Sequence, residues 1–175
     1  MLDEKTCTAP KSAREFEDFL QENYDRIFSC AFRVLGSRVE AEDLTQDICM
    51  SLPRKLQGYR GDCSLRTWLY RVTTNAAIDR LRKMRAERTS ASKWQDTLEV
   101  YAANGRERTA RVDWLLGAMQ KLPDDLRVTA ALLVEEGITQ AEAALALDIS
   151  PGTIAWRMSE IKKALKHSAK EDDDV

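Results

Sequence analysis

The side chains best suited to chemistry lie between residues 54 and 88, a stretch with 10 basic and 3 acidic residues. Within it, apolar residues recur at helical spacing and predict an amphipathic helix that begins after a capping Ser64. The opposite face of this helix carries Arg66, Arg71, Asn75, Arg80 and Lys83. Guanidinium and ammonium groups along one helix face suit the phosphates of a polyanion, the alternative being an ordinary solvated face.

A second basic segment, residues 150–170, has 5 basic residues and 1 acidic residue. Helix-start and turn signals lie just before this segment and at its beginning. Thr139 with Glu142 predicts a first helix start, Asp148 a left-handed turn position, and Ser150 with Pro151 a second helix start. The small Ala143 and Ala144 allow two helices to approach closely. Together these features predict a helix-turn-helix whose second helix would enter the major groove of DNA, the alternative being an ordinary helical corner.

Catalysis is not indicated by any residue pattern in the chain. His167, the single histidine, lies in a basic turn, and no Walker loop, GxSxG or HExxH pattern is present. We therefore expect no catalytic residue, no cofactor and no small-molecule substrate. The four cysteines are widely spaced without a CxxC pair, so we expect thiols rather than a metal site, although three of them with His167 could in principle bind zinc.

The composition predicts an all-α protein of two small helical domains joined by a flexible linker. Only 7 Gly and 4 Pro occur in 175 residues, and apolar residues follow three- and four-residue steps over most of the chain. The absence of a long apolar run and of a basic, apolar leader predicts a cytoplasmic location. We expect an N-terminal tail at 1–12, a first domain at 13–86, a linker at 87–108, a second domain at 109–168 and an acidic tail at 169–175.

Within the first domain, the sequence predicts helix ends as well as helices. Gly36 should end a helical stripe that starts near Phe16, as one helix or as two helices broken near Asn23. The next helix should open at Ser37 and Glu40, a capping-box pattern, and be kinked or ended early by Pro53. Trp68 and Leu69 are expected in the core, the alternative for Trp68 being a wedge at the fork of a melting DNA duplex.

These motifs resemble the extracytoplasmic-function (group IV) sigma factors of bacterial RNA polymerase over residues 13 to 167. AEDLTQDICMSLPRKL at 41–56 and YRGDCSLRTWLYRVTTNAAIDRLRK at 59–83 resemble the family's region 2. LPDDLRVTAALLVEEGITQAEAALALDISPGTIAWRMSEIKKAL at 122–165 resembles region 4. The resemblance implies that the chain binds core polymerase and promoter DNA at the minus-ten and minus-35 elements.

The resemblance also implies which first-domain residues contact the minus-ten element. A loop would capture a flipped base of the non-template strand, with Asn75 beside that pocket, and basic residues would bind phosphates. These residues are Tyr59, Arg60, Gly61, Asp62, Ser64, Arg66, Arg71, Asn75, Arg80, Arg82 and Lys83.

The minus-35 element would be contacted by the second helix of the helix-turn-helix. The implied residues are Ser150, Gly152, Thr153, Ala155, Trp156, Arg157, Ser159, Glu160, Lys162 and Lys163. Ala155 and Trp156 depart from the basic residue and serine that many members have, and Ser159 and Glu160 replace a pair that is frequently apolar and basic. Trp156 could stack on backbone sugars or extend the core, and Glu160 could accept from a cytosine amine.

Protein partners follow from the same resemblance. Asp43, Gln46 and Asp47 match the surface that docks on the β′ clamp helices, in a segment (13–47) with 4 basic and 9 acidic residues. The β flap is the second expected polymerase contact. Family members are commonly inhibited by an anti-sigma factor, often anchored in the membrane.

Two other functions remain open at this point. One is a sigma mimic that titrates an anti-sigma factor without transcribing, although the basic segment at 54–88 and Asn75 argue against it. The other is an operator-binding repressor with one helix-turn-helix, which would usually need a dimerisation element.

Overall fold

The computed structural model describes residues 9–90, 110–135 and 137–173. Over these residues the chain is all-α, with no strand, as the sequence predicts. We call α1–α3 the first unit and α4–α7 the second unit. The helices are α1 Ala13–Leu35, α2 Arg38–Leu56, α3 Leu65–Ser90, α4 Ala110–Gln120, α5 Asp124–Leu133, α6 Gln140–Leu147 and α7 Pro151–Asp173.

The ends of α1 and the start of α2 follow the predicted capping residues. Gly36 adopts a left-handed conformation (φ 70°) and its N–H donates to the carbonyl of Phe32 at 2.8 Å, which ends α1. Ser37 then caps α2 by accepting from the N–H of Glu40 at 3.4 Å. Helix α1 continues through Asn23 as one helix, and the buried amide of this residue donates to the carbonyl of Phe19 at 2.8 Å.

Two boundaries of the first unit differ from the sequence predictions. Pro53 lies inside α2, which continues to Leu56 rather than ending early. Helix α3 extends to Ser90, four residues into the predicted 87–108 linker. This helix starts where predicted, since Ser64 accepts from the N–H of Thr67 at 3.1 Å. The rest of the predicted linker lies outside the described residues.

The helix-turn-helix is present in the second unit as the sequence predicts. Thr139 and Glu142 form a reciprocal capping box at the start of α6, and Asp148 ends the helix at φ 54°. Ser150 accepts from the N–H of Thr153 at 3.1 Å and caps α7. Helix α7 reaches Asp173 instead of ending near Lys166, because the sequence contains no Gly or Pro after Gly152 to stop it.

The two units pack directly on one another through a shared hydrophobic core. Ile27, Val34 and Leu52 of the first unit belong to one cluster with Met119 and Ile161 of the second. A smaller cluster places two further residues of the first unit, Cys30 and Tyr70, among residues of the second: Leu132, Ala143, Ala144, Ala146 and Ile154. The sequence predicts the units but not this contact between them.

Polar groups of the second unit also cap the end of α1. The amide of Gln120 donates to the carbonyl of Arg33 at 2.9 Å, and the guanidinium of the buried Arg127 donates to that of Val34 at 3.4 Å. A Cβ at Gly36 would lie 2.5 Å from the side-chain oxygen of Gln120, so a larger residue would displace the Gln120 amide from this position as well as strain the left-handed backbone. These bonds satisfy carbonyls that a helix end leaves without partners. None of the described helices has the length and apolar character needed to span a bilayer.

Candidate nucleic-acid interface

The loop before α3 positions an aromatic ring beside exposed backbone. The ring of Tyr59 meets that of Trp68 edge-on, with centroids 5.6 Å apart, and its hydroxyl donates to the carbonyl of Cys63 at 2.5 Å. Trp68 is half-buried against the core, as expected. Arg60, Gly61 and Asp62 are exposed. The loop is thus held at its base while its tip is accessible to an unpaired nucleotide.

Part of the basic face of α3 is also accessible. Asn75, Arg82 and Lys83 are exposed. Arg82 is 3.5 Å from Asp79, and Lys83 is 3.9 Å from Glu87, in side-chain pairs that are about two-thirds or more exposed. Such surface pairs contribute little to stability, so phosphates can displace the carboxylates at low cost.

Arg80, a predicted DNA contact on α3, is bonded to α2 at the predicted polymerase-binding residues. Its Nε donates to the carboxylate of Glu40 at 2.5 Å, and its Nη2 lies 3.7 Å from Asp43. The hydrogen bond that Arg80 donates to Glu40 raises the pKa of its guanidinium above the ordinary value. Arg80 therefore connects α3 to α2 and is less accessible to DNA than Arg82.

Arg66 and Arg71, the first two arginines of α3, point toward the second unit. Arg71 donates to the carbonyl of Leu145 from Nε at 3.2 Å and from Nη2 at 2.5 Å. Arg66 donates to the carbonyl of Gly137 at 2.5 Å and lies 3.7 Å from the carboxylate of Glu142. Burial alone would raise the pKa of Glu142, but hydrogen bonds from Thr139 and the charge of Arg66 outweigh burial and lower it. Both arginines are therefore engaged within the chain.

The start of α7 presents most of its predicted DNA-contacting residues to solvent. The exposed members are Ser150, Gly152, Ala155, Trp156, Ser159, Lys162 and Lys163. Trp156 has 57% of its surface exposed, so it does not extend the core. Ile154, fully buried, instead anchors this helix against α6.

Two charged residues of α7 are already paired within the second unit. Arg157 donates to the hydroxyl of Thr129 at 3.1 Å and lies 3.5 Å from the carboxylate of Asp125, with 17% of its side chain exposed. Glu160 accepts from Lys163 at 2.7 Å. Ser150, Gly152 and Trp156 are thus exposed at the start of α7, whereas Arg157 is bonded to α5.

The predicted polymerase-binding residues lie on α2 beside an apolar groove that the sequence analysis missed. Asp43, Gln46 and Asp47 are on the outer side of this helix, with the Asp43 side chain 58% exposed. Gln46 also lines a groove of about 780 Å³ between α1 and α2. Its other lining residues are Glu17, Asp18, Leu20, Gln21, Tyr24, Asp25, Cys49 and Met50. Met50 is 81% exposed. Its place in the sequence off the apolar face formed by Leu44, Ile48 and Leu52 is the signal that could have indicated this groove.

A second, smaller apolar pocket opens between α4, α5 and α7. It has a volume of about 130 Å³ and is lined mainly by Leu115, Met119, Leu133, Met158 and Ile161. Val134 at its edge has 46% of its surface exposed. Periodicity in the sequence does not separate a pocket wall from a packed interior, so the sequence does not indicate this pocket.

Known proteins similar to this chain all point to one class. A model of sigma-70 region 2 matches residues 15–87. The RNA polymerase sigma factor CarQ of Myxococcus xanthus is 30% identical over 142 residues, covering 81% of this chain and 82% of CarQ. The ECF RNA polymerase sigma factor SigW of Bacillus subtilis is 26% identical and covers 86% of this chain and 87% of SigW. SigE of Mycolicibacterium smegmatis is 28% identical, and the chain spans 60% of its length.

Solved structures show the same fold. The sigma factor RpoE in complex with the anti-sigma factor NepR, from Bartonella quintana, superposes with a TM-score of 0.77 at 21% identity, covering 90% of this chain and 98% of RpoE. CnrH in complex with the cytosolic domain of CnrY gives a TM-score of 0.66 at 25% identity, covering 94% of this chain and 92% of the matched chain. The chain belongs to the extracytoplasmic-function sigma factors of RNA polymerase.

Proposed function

We propose that this chain binds core RNA polymerase in the cytoplasm, directs it to promoters through the minus-ten and minus-35 elements, and initiates transcription there. The observation that carries the proposal is an exposed loop tip beside exposed Asn75 in one unit, together with an exposed recognition helix in the other. Each surface suits one form of DNA. The loop and the ring of Tyr59 suit an unpaired base, whereas the start of α7 suits the major groove of a duplex.

At the minus-ten element, the loop captures a base of the non-template strand. The edge-on contact between Tyr59 and Trp68 fixes the tyrosine ring at the base of the loop. Asn75 can donate and accept hydrogen bonds at a base edge. Arg82 and Lys83, and Arg66, Arg71 and Arg80 once released from their internal partners, bind phosphates.

At the minus-35 element, Trp156 makes the main DNA contact of α7. Its indole has the exposed area to pack on sugars at the groove wall, and Ser150, Gly152 and Thr153 bring the helix start close to the backbone. Arg157 positions α7 against α5 through Thr129 and Asp125 instead of reading a base. Glu160 is neutralised by Lys163 unless a cytosine amine displaces that lysine.

Polymerase binding uses Asp43, Gln46 and Asp47 with the adjoining groove, and these contacts fit the β′ clamp helices. The groove has apolar walls at Leu20 and Met50 and an acidic rim, a combination suited to a basic amphipathic helix. The apolar pocket of the second unit fits a contact with the β flap.

Control by an anti-sigma factor is the expected regulation. The solved RpoE structure contains the anti-sigma factor NepR, and this chain shares its fold. An inhibitor of this kind, membrane-anchored or not, would cover the polymerase-binding residues of α2.

The base-capture assignment is tested by promoter opening with the Tyr59→Ala and Asn75→Ala variants. Permanganate footprinting of unpaired thymines with core polymerase should show a loss of opening of about fivefold or more for each variant, since stacking and edge contacts are each worth about 1–3 kcal/mol. Val39→Ala, a change at an exposed position of α2 outside the proposed contacts, is the control and should open promoters normally. Normal opening by both Tyr59→Ala and Asn75→Ala would show that the loop does not capture a base.

A further inference from the structure

We infer that the first unit has a nucleotide-binding pocket, in which Asn23 and Arg26 of α1 hold a nucleoside monophosphate, either free or as one residue of a single strand. The pocket lies between residues 9–11, α1 and the first two residues of α3, and has a volume of about 470 Å³. Pockets of about 300–1,000 Å³ are the size that holds small molecules. We call this site the α1–α3 pocket.

Three cations line the α1–α3 pocket, and they supply a site for phosphate. Lys11 comes from the N-terminal segment, Arg26 from α1 and Arg66 from α3. Among the residues that the structure describes, Lys11 and Arg26 form no pair with a carboxylate. The one described acceptor of the Arg26 guanidinium is the side-chain oxygen of Asn23, at 3.1 Å. A guanidinium has five N–H donors, so Arg26 has donors left for phosphate oxygens.

Asn23 is a polar side chain fixed in the wall of the pocket. It is only 5% exposed, its amide donates to the carbonyl of Phe19 at 2.8 Å, and its oxygen accepts from Arg26. An amide has two N–H donors and an oxygen with two lone pairs, so one donor and one lone pair remain. A donor and an acceptor on one amide are the groups with which asparagine reads the edge of adenine.

Apolar side chains complete the pocket beside these polar groups. The ring of Phe19, the ring of Pro10 and the side chain of Leu65 all line it. Bases of any sequence stack on aromatic rings, because every base has a flat π-face. An apolar wall, a fixed amide and a set of cations together suit a nucleoside phosphate better than inorganic phosphate, which would leave the apolar wall without a partner.

Two carboxylates also line the pocket, and they differ in what they contact. Glu15 accepts from the backbone N–H of Lys11 at 2.7 Å, which holds the N-terminal segment against α1. Glu22 is exposed and pairs with no cation among the described residues. The three cations outnumber the two carboxylates, so the pocket favours an anion, whereas the charge of Glu22 opposes one.

Two sources supply this ligand chemistry. Leu65 and Arg66 directly follow Ser64, a residue of the loop proposed to capture a base, so a neighbouring nucleotide of the same DNA strand lies within reach. A free nucleotide is the other source. The inference goes beyond the proposed function and does not depend on it, because it concerns what the pocket binds in the protein alone.

NMR titration of the isotope-labelled full-length protein tests the pocket without polymerase or promoter. The probes are dAMP, deoxyadenosine, inorganic phosphate and a deoxyadenosine tetranucleotide, and the signals are the Asn23 side-chain amide and the Leu65 backbone amide. We expect dAMP to shift both signals with a Kd of about 1 mM or tighter, and deoxyadenosine and phosphate to bind at least about tenfold more weakly. A tetranucleotide that binds tighter than dAMP identifies the strand as the source, and equal affinities identify the free nucleotide.

Two variants of neighbouring residues should change dAMP binding in opposite directions. Arg26→Gln should weaken it about tenfold, because a charge-assisted hydrogen bond to phosphate is lost. Glu22→Gln should tighten it about twofold, because a repelling charge is removed. Arg14→Gln is the matched control, since Arg14 is exposed on the same helix and does not line the pocket, and its dAMP affinity should equal that of the parent. All three side chains are exposed, so the fold should be retained.

Four results would overturn the inference. They are the absence of any shift with dAMP and the tetranucleotide, phosphate binding as tight as that of dAMP, equal losses in Arg14→Gln and Arg26→Gln, and weaker dAMP binding in Glu22→Gln. A protein that binds dAMP but starts no transcript refutes the proposed function and leaves the pocket in place. One that transcribes normally without binding dAMP or the tetranucleotide refutes the pocket alone.

Discussion

The guanidinium of Arg71 donates two hydrogen bonds to the carbonyl oxygen of Leu145, at 3.2 and 2.5 Å, and so ties the helix proposed to bind the minus-ten strand to the first helix of the helix-turn-helix. A residue with two competing partners has a distinctive mutational signature. Its removal weakens DNA binding and, at the same time, weakens the contact between the two units. Removal of an arginine that contacts only DNA weakens DNA binding alone.

Arg71→Ala and Arg82→Ala should therefore differ although both remove one guanidinium from α3. Each variant should bind the minus-ten strand several-fold more weakly at low salt, because each loses one phosphate contact. Only Arg71→Ala should also speed the alkylation by iodoacetamide of Cys30, whose side chain is buried where the two units meet. Arg82 pairs, among the described residues, with Asp79 on its own helix, whereas Arg71 is bonded to α6. Equal alkylation rates in the two variants would contradict the double role of Arg71.

Trp156→Ala separates DNA binding from stability in the second unit. Because more than half of Trp156 is exposed, its removal should leave the thermal midpoint within experimental error and reduce binding to a minus-35 duplex. Trp68→Ala is the contrasting change, since that ring packs on the core and on Tyr59, and it should cost about 3 kcal/mol of folding free energy. Fluorescence anisotropy with duplex DNA and calorimetry provide the two measurements. An unchanged duplex affinity in Trp156→Ala would remove the indole from the minus-35 contact.

Met50→Asp tests the groove beside the proposed polymerase-binding residues. An added carboxylate in an apolar wall should weaken core polymerase binding by about tenfold or more, since it would be buried against a partner without compensation. Val39→Asp is the matched control, because Val39 is 64% exposed on the same helix and does not line the groove. Both variants should unfold at the parent temperature. Equal affinities of the two variants in a pull-down titration would place the polymerase contact elsewhere.

Alkaline pH should weaken the contact between the units. Burial raises the pKa of the Cys30 thiol from 9.0 to about 12, and burial also raises the pKa of Tyr70 from 10.0 to about 12. Both groups are neutral when docked, so their contribution is fully present below about pH 9 and is lost as the pH rises toward about 12. Glu135 adds to both shifts, whereas Arg33 opposes that of Cys30 and Arg26 and Arg66 oppose that of Tyr70.

The measurement is the urea midpoint as a function of pH, which should fall as the pH rises above about 9 toward about 12. A Cys30→Ala/Tyr70→Phe double variant starts from a lower midpoint, because the smaller side chain leaves a cavity, but its midpoint should vary less with pH. A slope as steep in the double variant as in the parent would show that other groups titrate in this range.

Local features of the fold could be predicted from the sequence, because they depend on neighbours in the chain. Ser37, Ser64, Thr139 and Ser150 accept the hydrogen bonds that their positions imply, and Asp148 takes the left-handed conformation. The candidate DNA-contacting residues could be recognised in the sequence by their types and positions. Their contact with DNA stays a prediction.

The contact between the units could not be predicted, because it joins residues far apart in the chain. Arg66 meets Glu142 and Arg71 meets Leu145 only through the packing of α6 on α3. In the sequence, Glu142 is explained by its capping role and Leu145 by its helix, so neither indicates a partner. The withdrawal of Arg157 toward Thr129 likewise depends on how α7 crosses α5.

Run-off transcription tests the central claim most directly. Purified core polymerase with this protein would be supplied with a pool of bacterial promoter fragments, and the transcripts sequenced. We expect starts at a defined subset of fragments that share a minus-ten and a minus-35 sequence, with none from core polymerase alone. Binding to core polymerase in the same tubes without any specific start would contradict the account and would favour a sigma mimic that titrates an anti-sigma factor.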